Sequence, residues 1–231
     1  MKEKKYEILE GSIKLIGLHT FYKIRALKNF GDIQKGQIGG YIEKEENLSH
    51  EGNCWIYRNA QVCDNAKISG DAMICENARV FGNAKVFDCA VLGGNVIVDG
   101  NAEIFEYASL RENAHIHNYA KVFGNATIKG SSIIQSNAMV FGTSVIDGYT
   151  IFGKNAFIDN ARKYLTIGPI GSRCDYTNFY LDKDHNIMVL CGCFTGTIDE
   201  FIDKVYKTHQ RNELFISQYI NTVNYVKSIL K

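Results

Sequence analysis

The sequence predicts a mainly β protein built around a single-stranded parallel β-helix. Three observations carry that expectation. From Ile56 to Phe152 the chain can be written as 17 consecutive sixes without a gap, and position 1 of each six is Ile, Val or Leu until Phe152 closes the run. Position 5 is Ala, Ser, Thr or Val throughout. Position 4 is Asn in ten sixes and Asp71 in one. A period of six matches neither an α-helix nor an alternating strand. It is the repeat length of a parallel β-helix.

Each position has a physical reading. Position 1 fills the inside of a narrow prism with branched aliphatic side chains. Position 5 also points inward, near a corner where only a small side chain fits. Position 4 is read as the turn, because Asn tolerates positive φ and bonds locally. Gly recurs at position 3 for the same backbone reason. Three sixes make one 18-residue coil, so the run gives about six coils, roughly 4.8 Å apart.

The repeats resemble the hexapeptide repeats of left-handed parallel β-helix proteins. The resemblance implies the left-handed winding, an exception to the usual right-handed crossover. It also implies a homotrimer with parallel axes. The lead-in from Gly39 to Ala60, including Trp55, resembles that of a group of bacterial and phage β-helix proteins.

Composition limits the rest. The chain has 231 residues, enough for a sizeable core, and a net charge of +1 from 26 basic and 25 acidic residues. No basic block is present, so nucleic acid is not an expected partner. Seven scattered cysteines read as reduced thiols. The start Met1-Lys-Glu-Lys-Lys-Tyr has no apolar run behind it, and no stretch of about 20 apolar residues occurs. The expectation is a cytoplasmic protein without a membrane span.

Three regions follow. Residues 1–49 read as an N-terminal β cap, with a strand around Phe21–Leu27, because an open coil end exposes strand edges and core. Trp55 is expected at the junction of cap and helix. Residues 50–163 form the β-helix. Its register fails where Arg162 would take position 5. Residues 164–231 read as a ββαα unit. Its hairpin runs from Asn178 to Phe194, a Thr197/Glu200 capping box opens one helix, and Asn212 opens a second. This tail resembles a small domain of phage and bacterial proteins through Ile170–Arg173, Cys191–Phe194, Gly196, Thr197, Asp199–Phe201, Thr208 and His209.

The outward positions hold the candidate sites. Phe87, Phe105, Phe123 and Phe141 recur every 18 residues, so they stack on one outer face. Such a stripe is expected to be covered, by the tail helices or by another subunit. A neighbouring column carries Cys63, Phe81, Asp99, His117 and Gln135, with His115 beside it. Trimeric β-helix carbonic anhydrases and the related acyltransferases use histidines on such faces. By that resemblance His115 and His117 are the alternative catalytic pair. Otherwise no catalytic residue, no metal ligand and no cofactor is assigned. Cys191-x-Cys193 lacks a second pair of ligands and reads as buried strand cysteines. In the tail, Ser172 and Arg173 after a Gly-rich turn, with Thr195, Thr197 and His209 near a helix start, suggest an anion site. The leading functional reading is a non-catalytic binding protein, phage-encoded by the resemblance, that holds and sequesters a small nucleotide-like anion in pockets between subunits or in the tail. The alternatives are a hexapeptide-class acyl- or acetyltransferase and a purely structural protein.

Overall fold

The computed structural model describes residues 3–230. It is a mainly β structure: a parallel β-solenoid of about seven turns, a C-terminal antiparallel sheet and two helices. Strands of two residues stack in parallel with their equivalents one coil away. Val98, for example, faces Val80 on one side and Ile116 on the other. Position 1 and position 5 are buried all along the run, Val86, Ala90, Ile116 and Ala120 among them. The inward serines and threonines at position 5 stay satisfied: Ser144 Oγ donates to the Phe141 carbonyl at 2.7 Å, and Thr150 Oγ1 to the Asp147 carbonyl at 3.0 Å.

The corner differs from the expectation. Positive φ falls at position 3 of every six from Arg58 to Gly148, and at position 4 only in Asn155. Asn at position 4 has a different task. Its amides stack into ladders, Asn65 Nδ2 donating to Asn83 Oδ1 and Asn83 Nδ2 to Asn101 Oδ1, each at 3.2 Å. A second ladder runs Asn77, Asn95, Asn113. Planar amides in register pass one hydrogen bond along each row, so that Asn83 and Asn95 both donate and accept. Glycine is needed at position 3 where coils approach closely: a Cβ on Gly70 would lie 2.7 Å from the Asp88 nitrogen. Where an acid stands there instead, its carboxylate accepts the backbone N–H of the next coil, as Glu106 does from Gly124 at 2.9 Å.

The solenoid also begins one coil earlier than Ile56. Strands β1 (Tyr6–Ile16) and β2 (His19–Ala26) form an antiparallel hairpin. Strand β3 (Ile38–Ile42) pairs antiparallel with β2 and parallel with Gln61–Val62. One nine-stranded sheet therefore runs from the hairpin through β3 into the coils. Tyr6, Ile24 and Ile33 share a core with Ile42, Leu48 and Trp55. Trp55 sits at this junction, edge-on to Phe30 with ring centroids 5.4 Å apart. Lys5 is buried with it, and its ammonium donates to the carbonyls of Cys54 at 2.9 Å and Gly52 at 3.2 Å. It thus satisfies carbonyls at the open end of the stack.

The tail closes the other end. Its predicted hairpin is the centre of a four-stranded antiparallel sheet, residues 164–170, 175–181, 187–191 and 194–197. Alternation gives this sheet two apolar faces. Tyr180, Met188 and Leu190 seal the last coil against Phe152 and Ile158. Phe179, Leu181 and Val189 face the other way, onto helices α1 (Ile198–Thr208) and α2 (Glu213–Ile229). Thr197 caps α1 and Asn212 caps α2, as expected. The apolar stripe of α2, Tyr219, Val223 and Val226, is used up on this sheet. The tail helices therefore do not cover the phenylalanine column. Among the described residues no helix is long and apolar enough to cross a membrane.

Candidate functional site

Of the tail residues singled out in the sequence, Ser172, Arg173 and His209 line one cavity, while Thr195 and Thr197 do not. The turn after residues 164–170 has Gly171 at φ +69°, and a Cβ there would strike the Tyr219 ring. Gly171 N donates to Gln218 Oε1 at 3.1 Å, which fixes the turn against α2. Ser172 and Arg173 are thereby held on the rim of a cavity of about 170 Å³, together with Lys204, His209 and Tyr219. His209 stacks on Tyr219 with ring centroids 5.7 Å apart. Burial, then the neighbouring Cys191, raises the pKa of the Tyr219 hydroxyl. Both Cys191 and Cys193 line this cavity as free thiols.

Thr195 and Thr197 are not brought in. Thr197 and Glu200 bond reciprocally, Thr197 N donating to Glu200 Oε2 at 2.7 Å. The capping box has already taken the donors that an anion would need.

Arg173 faces a second, larger cleft of about 500 Å³, between the outer face of the last coils and the tail sheet. Ser131, Ile133 and Tyr149 come from the coils, and Asp175, Tyr176 and Asn178 from the tail. Tyr149 and Tyr176 stack across it, with centroids 5.7 Å apart and planes 18° apart. Arg173 makes no hydrogen bond or ion pair with any described residue. A Cβ on Gly192 would lie 2.8 Å from a guanidinium nitrogen of Arg173, so glycine there leaves room for the arginine. One acid, Asp175, lies in the lining, and its Oδ1 accepts the Tyr176 N–H at 2.7 Å. A wider groove of about 730 Å³ near the hairpin is lined by Glu7, Glu10, Glu43 and Glu45, a setting that repels anions.

The two histidines on the solenoid face form a compact group. His115 Nε2 lies 2.8 Å from Asp99 Oδ2, and the rings of His115 and His117 stack with centroids 4.7 Å apart. Burial, then the adjacent His115, holds His117 below the usual imidazole range, in its neutral form near pH 7. A carboxylate that orients an imidazole is the arrangement of a general base.

The phenylalanine column forms as expected. Phe87, Phe105, Phe123 and Phe141 stack with centroid spacings of 5.0, 4.8 and 5.0 Å and nearly parallel planes. Phe157 closes its upper end edge-on. Beside it, Lys85 and Lys121 both pair with Glu103, at 3.1 and 2.7 Å. The two lysines pull the Glu103 carboxyl below its ordinary range. All four rings are half-buried.

Sequence reasoning missed Tyr149 and Tyr176. Tyr149 occupies position 4, where Asn dominates, and that departure was the available signal. It also missed a cluster at the other end of the molecule, where His19, Glu43, Cys63 and Asp64 bring ligand atoms within 4.8 Å of one another.

No protein-family model matches the chain. A segment of 48 residues is 46% identical to the uncharacterized acetyltransferase YdcK of Escherichia coli (strain K12). The match covers 20% of this chain and 15% of that protein.

Proposed function

We propose that this protein is a binding protein that holds a small nucleotide-like anion in the cleft between its last coils and its tail. The observation that carries this reading is Arg173, a guanidinium without a partner among the described residues, set beside the stacked Tyr149 and Tyr176. An arginine left unpaired suits a phosphate, which it grips bidentately. Two tyrosine faces suit a flat base, through stacking rather than sequence-like readout. Ser172, Lys204 and His209 extend the same polar rim into the smaller cavity. In this reading the solenoid is a rigid wall and the tail supplies the charged grip. Native mass spectrometry of the protein taken directly from a lysate should show a retained adduct of small-molecule mass that denaturation releases. A spectrum of the bare chain alone, from fresh and folded protein, would contradict retention.

A second reading, acyl transfer, is favoured by the His115–Asp99 pair and by the acetyltransferase name of the relative. There His115 would take a proton from the acceptor as it attacks a thioester. Thiol release from acetyl-CoA that vanishes in His115→Ala would favour this reading over simple retention.

A further inference from the structure

The hairpin brings together residues that lie far apart in sequence. His19 opens β2, Glu43 follows β3 directly, and Cys63 and Asp64 stand at a coil corner. His19 Nδ1 lies 3.0 Å from Glu43 Oε1 and 3.8 Å from Asp64 Oδ1. We propose that His19, Glu43, Cys63 and Asp64 form a structural zinc site that fastens the hairpin to the first coils.

Four features support it. Zinc takes four N, S or O ligands at about 2.0–2.3 Å, which places tetrahedral ligand atoms roughly 3.3–3.8 Å apart. The four ligand atoms lie within 4.8 Å of one another, and His19 is already 3.0 Å from Glu43 and 3.8 Å from Asp64. Each carboxylate has one oxygen fixed from behind: Asp64 N donates to Glu43 Oε2 at 2.7 Å, and Gly82 N to Asp64 Oδ2 at 2.9 Å. Their other oxygens, Glu43 Oε1 and Asp64 Oδ1, are the ones that approach His19. Backbone bonds of this kind orient metal ligands. Cys63 is 7% exposed, and its Sγ has no hydrogen-bond partner among the described residues. That Sγ lies within 4.8 Å of the ligand atoms of the other three residues. Finally, the two carboxylates beside one imidazole concentrate negative charge, which Arg79 nearby offsets only in part. Thiolate and imidazole select zinc-like ions over calcium or magnesium. Phe21, Val80 and Phe81 form an apolar wall on one side of the cluster.

The full chain, freed of metal with a chelator, is titrated with Co²⁺ and then Zn²⁺. The expected result is one Co²⁺ per chain with a thiolate-to-cobalt charge-transfer band, bleached by one equivalent of Zn²⁺. Cys63→Ser should abolish the band, while Cys63→Ser, His19→Asn and Glu43→Gln should each weaken Zn²⁺ binding tenfold or more. The exposed control Cys193→Ser should keep both. A folded wild type that shows no such band overturns the proposal. So does a band that survives Cys63→Ser, or one lost in Cys193→Ser, which would move binding to the tail thiols. Should Cys63→Ser fail to fold, undiminished Zn²⁺ affinity in the half-exposed His19→Asn overturns it equally.

Discussion

Ala114→Leu should lower the melting temperature by several degrees, while Lys85→Leu leaves it nearly unchanged. Ala114 is wholly buried at position 5, against the backbone corner, with no room for three further carbons. Overpacking of this kind costs about 1–3 kcal/mol. At this chain length each kcal/mol shifts the midpoint by roughly 2–4 °C. In a solenoid the strain also falls on the interfaces with both neighbouring coils. Lys85 is 55% exposed and makes one ion pair, with Glu103, worth about 0–1 kcal/mol. Circular dichroism melts of the two variants make the comparison. Equal shifts would mean that the inside and outside of the coil are assigned wrongly.

The double variant Phe105→Glu with Phe123→Glu should have a larger effect. It removes all three parallel ring stacks of the column at once. Each is worth about 0.5–1.5 kcal/mol beyond area, so the loss is roughly 1.5–4.5 kcal/mol in all. It also sets two carboxylates one above the other, beside Glu103, where like charges on adjacent strands repel. The double variant should melt well below Phe105→Leu alone. Limited proteolysis of the tail should be unchanged, because α2 packs on the tail sheet and not on this face. If the column is a contact of the trimer that the hexapeptide resemblance implies, the variant also sediments as a monomer. An oligomer that persists unchanged would remove that contact from the account.

The solenoid was legible because its period of six imposes inward positions too regular to arise from any other element. The hairpin cap, Trp55 at its junction, and both helix caps were legible for similar local reasons. The role of Asn was misread because asparagine serves two purposes: it accepts positive φ, and its amide also builds ladders. Only the stacked geometry shows that position 3 carries the first task and position 4 the second. The cover of the phenylalanine column could not be chosen from sequence. The stripe of α2 fits either surface, and in the structure it packs on the tail sheet. Ser172, Arg173 and His209, singled out by a Gly-rich turn and a helix end, do line one cavity. Thr197 was wrongly grouped with them because its capping box consumes its donors. The cluster of His19, Glu43, Cys63 and Asp64 left no local pattern, since His19 and Glu43 are 24 residues apart and meet only through the sheet.

The central claim is that Arg173 and the adjacent tyrosines grip an anionic ligand. Equilibrium dialysis of wild type and Arg173→Ala against nucleoside mono-, di- and cyclic phosphates tests it most directly. Charge-assisted bonds to a guanidinium are worth about 1.5–3 kcal/mol, which corresponds to tenfold or more in affinity. Arg173 is exposed and bonds to no described residue, so its loss should leave the melting temperature in place. The account predicts that the wild type retains at least one of these compounds and that Arg173→Ala, equally stable, binds it at least tenfold more weakly. Equal binding by the two proteins, or an Arg173→Ala chain that unfolds, would contradict it.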